Sequence, residues 1–125
     1  MSSVHPARGD VWLVDFGETV GHEQAGTRPA IVVSVDTYNQ GPRELVIVVP
    51  ATTRQRVWAH FVISPPEGGL QKPSSVLWDQ VCRVSHRRLV RRLGAVSSST
   101  MRQVGERLKS LLGLRPPRLP RERNQ

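Results

Sequence analysis

Short runs of β-branched and apolar residues recur along most of the chain, and each run ends at a proline, a glycine or a polar turn. Runs of this length and composition predict buried or half-buried strands. The predicted strands cover residues 11–15, 30–35, 45–49, 57–63, 75–77, 80–84 and 93–96. Pro50 is expected to end the third strand, because proline lacks an amide donor.

One segment near the end has helical periodicity instead. The apolar side chains that recur on one face are those of Met101, Val104, Leu108, Leu111 and Leu112. The opposite face carries Arg102, Arg107 and Lys109. Ser97 or Ser98 can cap the start of this helix, and Gly113 fits its end. Because Gly105 in the interior costs about 1 kcal/mol relative to alanine, the pattern rather than helix propensity predicts the helix. A short helical turn is also expected within residues 86–92.

The composition changes after residue 114. Residues 115–125 contain three prolines and four arginines, which provide too little apolar surface to form a core. We therefore expect residues 1–114 to form one domain, followed by a disordered basic tail at 115–125. The predicted fold is mainly β with a C-terminal helix (α+β).

Several features limit where the protein works. No apolar run approaches the roughly 20 residues that span a membrane, and residues 1–10 contain no apolar segment typical of a signal peptide. A single cysteine, Cys82, excludes an intrachain disulfide framework and is expected to be a half-buried core residue. We expect a cytoplasmic protein without membrane association.

The formal net charge of the 125 residues is +8. A basic balance of this size favours a polyanionic partner, either a nucleic acid or an acidic protein. One cluster, defined here as the arginine cluster, lies inside the predicted domain and comprises Arg83, Arg87, Arg88, Arg91 and Arg92. A solvated basic face is an equally good interpretation of this cluster.

A polar, glycine-punctuated segment at residues 21–27 leads directly into Arg28. Pro29 disfavours helical geometry at Arg28, and the strand that follows provides a rigid base. A guanidinium group presents a planar fork of donors that matches a phosphate. The sequence therefore predicts that Arg28 binds a phosphate.

Further polar residues lie at the predicted strand ends, and each by itself is typical of a turn or a cap. They are Glu23, Gln24, Thr52, Thr53, Ser74, Asp79 and Gln80. Together they would line one face of a small barrel. The four histidines, His5, His22, His60 and His86, show no metal-ligand spacing, and neither a phosphate-binding glycine loop nor a nucleophile elbow is present. No metal and no cofactor are therefore expected.

Four blocks in this order resemble the MazF/PemK family of toxins, the ribonuclease half of bacterial toxin–antitoxin pairs. The blocks are residues 8–15, 21–29, 48–53 and 69–81, the last with its matches at 69–74 and 79–81. The sequence departs from the family pattern at Cys82, Arg83 and Ser85. These departures bear on substrate preference more than on catalysis.

The resemblance implies a small SH3-like barrel of the MazF/CcdB type that works as a homodimer. It implies an mRNA-interferase type of endoribonuclease that cleaves single-stranded RNA at a short sequence without a metal. The products would carry 2′,3′-cyclic phosphate and 5′-hydroxyl ends, and a cognate antitoxin would neutralise the enzyme. The family's catalytic arginine and threonine fall on Arg28 and Thr52. Because a guanidinium is a poor base at neutral pH, His22 is kept as a second candidate for proton transfer.

Sequence-specific RNA binding usually stacks unpaired bases on aromatic rings and bonds their edges. The predicted RNA-binding residues are Phe16, Glu23, Gln24, Thr53, Asp79 and Gln80. The three tryptophans, Trp12, Trp58 and Trp78, are expected to pack in the core instead.

Two other classes of protein remain open at this point. One is a non-catalytic toxin of the same barrel type that acts on DNA gyrase, which would not need Arg28 and Thr52 together. The other is a nucleic-acid-binding barrel. Such a barrel would account for the charge but not for the segment from Glu23 to Pro29.

Overall fold

The computed structural model describes residues 4–18, 26–54 and 60–114. Within these ranges seven strands form: β1 (Asp10–Asp15), β2 (Thr27–Val32), β3 (Leu45–Thr52), β4 (Phe61–Ile63), β5 (Ser74–Val76), β6 (Cys82–Ser85) and β7 (Leu89–Ala95). The helices are α1 (Asp36–Asn39) and α2 (Ser98–Leu111), with 3₁₀ helices at Glu67–Gly69, Trp78–Gln80 and His86–Arg88. The predicted class, mainly β with a C-terminal helix, is confirmed. In this part of the chain no helix has the length and apolar character needed to cross a bilayer.

All strand pairs are antiparallel, and the sheet order is β4-β5-β3-β2-β1-β7, with β6 also paired to β3. The long strand β3 organises this arrangement. Its first half pairs with β6, its middle with β2, and its last two residues with β5. The end of β3 is therefore the point where the strands β5 and β4 join the part of the sheet formed by β2, β1 and β7.

The prediction that Pro50 ends the third strand is wrong, because β3 continues through it to Thr52. Pro50 pairs with Ala30 on β2, and its carbonyl accepts a hydrogen bond of 2.9 Å from the amide of Leu77. It lies where β3 exchanges β6 for β5 as a neighbour. Proline is tolerated at such a change of partner because no ladder with β5 or β6 runs through this position, so the missing amide donor interrupts neither of them.

Strand β2 begins three residues before its predicted start and ends at Val32, so that Arg28 lies in the strand and not in the loop before it. The cause is a long-range pairing with β1 that extends to Thr27 opposite Asp15. Pro29 supports the extended backbone at Arg28. The residues beyond Val32 lead instead into the short helix α1, which the strand pattern did not predict.

The other elements differ from the prediction mainly at their ends. Strand β4 covers only Phe61–Ile63, and residues 57–59 of the predicted strand lie outside the described ranges. The helical turn expected within 86–92 is limited to His86–Arg88, and β7 already begins at Leu89. Pairing of β7 with β1 explains this early start.

Two clusters of buried apolar side chains lie on opposite faces of the sheet. Val11 belongs to the first cluster and Trp12 to the second, as expected for consecutive residues of a strand. The first cluster includes Val104 of α2. Cys82 is half-buried against the second cluster, as predicted.

Helix α2 has the predicted ends. The Ser97 hydroxyl accepts a hydrogen bond of 3.1 Å from the amide of Thr100, and Gly113 follows the helix with a φ of +72°. The predicted apolar face is correct only in part. Met101 and Leu108 pack against the first cluster, but Leu111 and Leu112 are 44% and 61% exposed.

Candidate active site

Arg28 projects from β2 at the neck of the loop that joins β1 to β2. The amide of Phe16 donates to the carbonyl of Gly26 at 2.9 Å, and the amide of Gly26 donates to the carbonyl of Gly17 at 2.8 Å. Arg28 follows this closed neck by two residues, lies opposite Val14 of β1 and is exposed to solvent. Strand pairing therefore fixes the backbone of Arg28, while its side chain remains open to solvent.

Thr52 is the last residue of β3 and is only 5% exposed. Its Oγ1 accepts a hydrogen bond of 3.1 Å from the amide of Arg54. Because that bond uses a lone pair, the hydroxyl hydrogen can still donate to another group. Ser75 of β5, which is also buried, pairs directly with Thr52.

The register of the β2–β3 ladder relates Arg28 to Thr52. Ala30 pairs with Pro50, Ile31 with Val49 and Val32 with Val48, and Ala30–Pro50 is the last pair of this ladder. Arg28 and Thr52 each lie two residues beyond that last pair, at the same end of the two strands. The fold therefore brings the exposed guanidinium and the buried hydroxyl to the same end of the sheet.

Asp79 and Gln80 lie in the 3₁₀ helix Trp78–Gln80, directly after the hydrogen bond from Leu77 to Pro50. This bond ties the turn to β3 two residues before Thr52. Asp79 Oδ1 lies 2.6 Å from Nε2 of His60, with the His60 side chain 7% and the Asp79 side chain 33% exposed. The sequence did not single out His60 for this role, since the two residues are far apart in the chain and the pairing depends on the fold.

The other residues singled out in the sequence are the remaining predicted RNA-binding residues, the three tryptophans and His22. Phe16 is partly buried against the second apolar cluster, at the loop neck, and Thr53 is exposed next to Thr52. Trp12 and Trp78 are buried core residues, as predicted. Glu23, Gln24, His22 and Trp58 lie outside the described residues.

Two arginines near the site were not predicted to belong to it. Arg54 is exposed two residues after Thr52 and donates its amide to the threonine hydroxyl. Arg88, from the arginine cluster, reaches back to the loop neck, where its Nη1 lies 3.5 Å from the carbonyl oxygen of Asp15. Only the positions of these two arginines in the fold, and not their spacing in the sequence, identify them as neighbours of the site.

Asp10 has a structural role in the first of the four sequence blocks. Its buried carboxylate accepts hydrogen bonds from the amide of Ala7 at 2.9 Å, from Nε1 of Trp12 at 3.2 Å and from Nε of Arg92 at 3.0 Å. Arg92 is therefore paired with a buried carboxylate. Among the described side chains, no three of His, Cys, Asp and Glu converge in a way that could hold a metal ion.

Comparison with known proteins gives one consistent result. Residues 7–112 match the family model described as PemK-like, MazF-like toxin of type II toxin–antitoxin systems. The endoribonuclease MazF of Staphylococcus epidermidis is 30% identical over 109 residues, which cover 86% of this chain and 91% of that protein.

Solved structures agree with this match. The crystal structure of MazF from Deinococcus radiodurans has a TM-score of 0.76 and 31% identity, and the match covers 89% of this chain and 99% of that one. A mycobacterial endoribonuclease in complex with its cognate antitoxin has a TM-score of 0.70 and 26% identity, with coverages of 90% and 98%. The chain therefore belongs to the PemK-like, MazF-like family of type II toxins, and it has the fold of the family's endoribonucleases.

Proposed function

We propose that this protein is a toxin of the mRNA-interferase type that cleaves single-stranded RNA at a short sequence without a metal ion. The observation that supports the proposal is that the exposed Arg28 and the buried Thr52 each lie two residues beyond Ala30–Pro50, the last pair of the β2–β3 ladder. A cation and a hydroxyl donor at the same end of two adjacent strands suit a reaction that builds negative charge on phosphate oxygens. Family membership supports the RNA substrate.

In the proposed reaction, the ribose 2′-oxygen attacks the adjacent phosphorus and the bond from phosphorus to the 5′-oxygen breaks. The products are a 2′,3′-cyclic phosphate and a 5′-hydroxyl. Arg28 donates hydrogen bonds to the phosphorane oxygens, and the Thr52 hydroxyl donates one more. Preorganised donors of this kind stabilise the transition state without having to reorganise.

The 2′-hydroxyl proton must leave and the 5′-oxygen must gain a proton. A guanidinium remains protonated at neutral pH and is therefore a poor base. His22, six residues before Arg28, is the second candidate for this transfer, because an imidazole titrates close to neutral pH.

Recognition of the RNA sequence is assigned to the residues around Arg28 and Thr52. Phe16 at the loop neck would stack on an unpaired base, and Thr53, Asp79 and Gln80 would bond base edges. Glu23 and Gln24 of the adjoining loop complete the proposed set. The bond between Leu77 and Pro50 supports a common surface, because it holds the turn that carries Asp79 against β3.

We further propose that the enzyme works as a homodimer and that a cognate antitoxin neutralises it. The antitoxin complex of the mycobacterial relative supports the second point. The catalytic domain is proposed to be residues 1–114. The arginines of residues 115–125 would add attraction for RNA without being required for cleavage.

The proposal is tested by incubating the purified protein with a long single-stranded RNA and mapping the fragment ends. Cleavage at one recurring short sequence, with cyclic phosphate and 5′-hydroxyl ends, is expected. An intact RNA together with inhibition of DNA supercoiling by gyrase would support the non-catalytic alternative. RNA binding without cleavage or gyrase inhibition would support a simple nucleic-acid-binding barrel.

A further inference from the structure

Two exposed arginines flank Arg28 at the end of the sheet where the candidate active site lies. Leu89 of β7 and Arg28 of β2 both pair with Val14 of β1, so Arg88 directly precedes a strand that is two strands away from Arg28. Arg54 lies on the other side of Arg28, two residues after the end of β3. The three arginines therefore follow the order of the strands β7, β2 and β3 across the sheet.

The spacing of these strands suits the backbone of a single nucleic-acid strand. Neighbouring strands lie about 4.8 Å apart, so three strand spacings, about 14 Å, separate β7 from β3. A stacked nucleic-acid strand carries one phosphate per about 3.4 Å of its axis, and an unstacked strand is longer. The span from Arg88 to Arg54 can therefore hold the phosphate at Arg28 together with one phosphate on either side of it.

Arg54 is held close to the candidate active site by its backbone. Its amide donates a hydrogen bond of 3.1 Å to Oγ1 of Thr52, which is buried, while Arg54 itself is exposed. Its guanidinium forms no ion pair with the described side chains. Arg54 can therefore bind a phosphate next to the one at Arg28 and Thr52.

Arg88 is held at the loop neck through its side chain. Its Nη1 lies 3.5 Å from the carbonyl oxygen of Asp15, and a Cβ added at Gly17 would come within 2.9 Å of the same nitrogen. Gly17 therefore leaves the space that the guanidinium occupies. The carboxylate of Asp15 accepts a hydrogen bond of 2.8 Å from the amide of Gly17 and forms no ion pair with Arg88. One carbonyl contact uses one of the five N–H donors of an arginine, so the charge and most donors of Arg88 remain available to a ligand.

From this arrangement we propose that Arg54 and Arg88 bind the two phosphates that flank the scissile phosphate of a single-stranded RNA. This assignment rests on the proposed RNA cleavage, and it adds a course for the RNA backbone across the end of the sheet, from β7 over Arg28 to β3. A guanidinium suits each contact because its planar fork matches two phosphate oxygens. Such contacts fix the register of the RNA and carry no base specificity.

The test measures binding of a short RNA that contains the mapped cleavage sequence, with a 2′-deoxyribose at the cleaved linkage to remove the attacking hydroxyl. The dissociation constant is followed across a salt series. Arg54→Gln and Arg88→Gln should each bind about tenfold more weakly at low salt and should each lower the slope of log Kd against log salt by about 0.7, the contribution of one phosphate contact in a single strand.

Two kinds of control accompany these variants. Arg54→Lys and Arg88→Lys keep the positive charge and should therefore keep the salt slope of the wild type. Arg43→Gln removes an exposed arginine that precedes the start of β3, at the end of the strand away from Thr52, and it should bind like the wild type.

A second measurement responds to a direct phosphate contact and not to a structural effect of the substitutions. A methylphosphonate linkage removes the charge of one phosphate, on the 5′ side or on the 3′ side of the cleaved linkage. Either neutral linkage should weaken binding by the wild type. The neutral linkage on one side should have little further effect on Arg54→Gln, and the one on the other side should have little further effect on Arg88→Gln, because a missing cation has no partner to lose.

Cleavage of the unmodified RNA by the wild type separates this inference from the proposed function. If the wild type cleaves but the effects of substitution and neutral linkage are additive for both arginines, or the salt slope is unchanged, the flanking contacts are wrong while the proposed cleavage stands. A wild type that leaves the unmodified RNA intact would overturn both.

Discussion

Arg28 and Thr52 each lie two residues beyond Ala30–Pro50, the last pair between β2 and β3, and therefore lie at the same end of two adjacent antiparallel strands. They are 24 residues apart in the sequence. The relationship depends on β3 continuing through Pro50, because a strand that ended there would leave Thr52 in a loop. Long-range pairing thus assembles the candidate active site.

The first prediction concerns the Thr52 hydroxyl. Thr52→Val keeps the shape of the side chain but removes the proposed donor to the phosphate, and it should lower the single-turnover cleavage rate about 10²-fold. Thr52→Ser keeps the hydroxyl and should retain most of the rate. In Thr52→Val the amide of Arg54 loses its acceptor. Because Arg54 is exposed and water can take the place of the hydroxyl, we expect the free energy of unfolding to fall by less than about 1 kcal/mol. A serine variant as inactive as the valine variant would contradict this role.

The second prediction concerns the contact between His60 and Asp79, which lie 2.6 Å apart. His60 orients the carboxylate that is proposed to bind a base edge. His60→Phe should therefore raise the KM for a single-stranded RNA about tenfold and change kcat little, because ground-state and transition-state binding are affected alike. His60→Gln, which keeps an N–H donor, should restore part of the affinity. An unchanged KM in His60→Phe, or a fall in kcat alone, would show that the pair has no part in substrate binding.

How much of the fold could be predicted from the sequence depends on whether an element is determined by neighbouring residues or by pairing with distant ones. The apolar runs predicted β1 and most of β3, and helical spacing with a serine cap predicted α2, because these signals are local. The start of β2 was placed too late, since Thr27 and Arg28 become strand residues only through pairing with β1. Leu111 and Leu112 were placed on the buried face because periodicity does not show how far along a helix the tertiary contacts extend.

The candidate site likewise combines residues that a local sequence pattern identifies with contacts that only the fold creates. Arg28 and Thr52 were identified by their blocks of sequence, but their relation follows from the register of β2 and β3. His60 carries no local signal that would connect it with Asp79. Arg54 and Arg88 are surface arginines in the sequence, and only the fold places one beside Thr52 and the other at the loop neck.

The third prediction concerns acid stability. Hydrogen bonds from the Thr100 hydroxyl at 2.6 Å and from the Ser97 amide at 2.9 Å hold the pKa of Glu67 below its usual value near 4.5. A lowered pKa stabilises the fold above the unfolded-state value, and this stabilisation is lost as the pH falls through the folded-state value. Glu67→Gln should therefore be less stable than the wild type at pH 7, by a margin that shrinks in the acid range below about 4.5.

Urea unfolding at pH 7 and at pH 3 measures this margin. Glu106→Gln, on the exposed face of α2, is the matched control and should show a much smaller pH dependence. A difference between Glu67→Gln and the wild type that is the same at both pH values would show that ionisation of Glu67 does not contribute.

The fourth prediction compares two glycine-to-alanine substitutions. Gly69 has a φ of +71°, and a Cβ there would lie 1.9 Å from the carbonyl oxygen of Leu93. Because backbone must move, Gly69→Ala should destabilise the fold by more than about 3 kcal/mol. Gly105→Ala adds a methyl group in open space and should stabilise it by up to about 1 kcal/mol. Denaturant unfolding of both variants measures these changes in the free energy of unfolding. Changes of similar sign and size in the two variants would contradict the prediction.

The most direct test of the account is the single-turnover cleavage of a single-stranded RNA in excess EDTA by the wild type and by Arg28→Ala, Arg28→Lys and Arg43→Ala. The wild type and the exposed-arginine control Arg43→Ala should cleave at similar rates and give 2′,3′-cyclic phosphate ends. Both Arg28 variants should be folded and should lose at least about 10²-fold in rate, since a lysine cannot replace the guanidinium fork. Loss of wild-type cleavage in EDTA, or an Arg28→Ala variant that keeps more than about a tenth of the rate, would contradict the central role of Arg28.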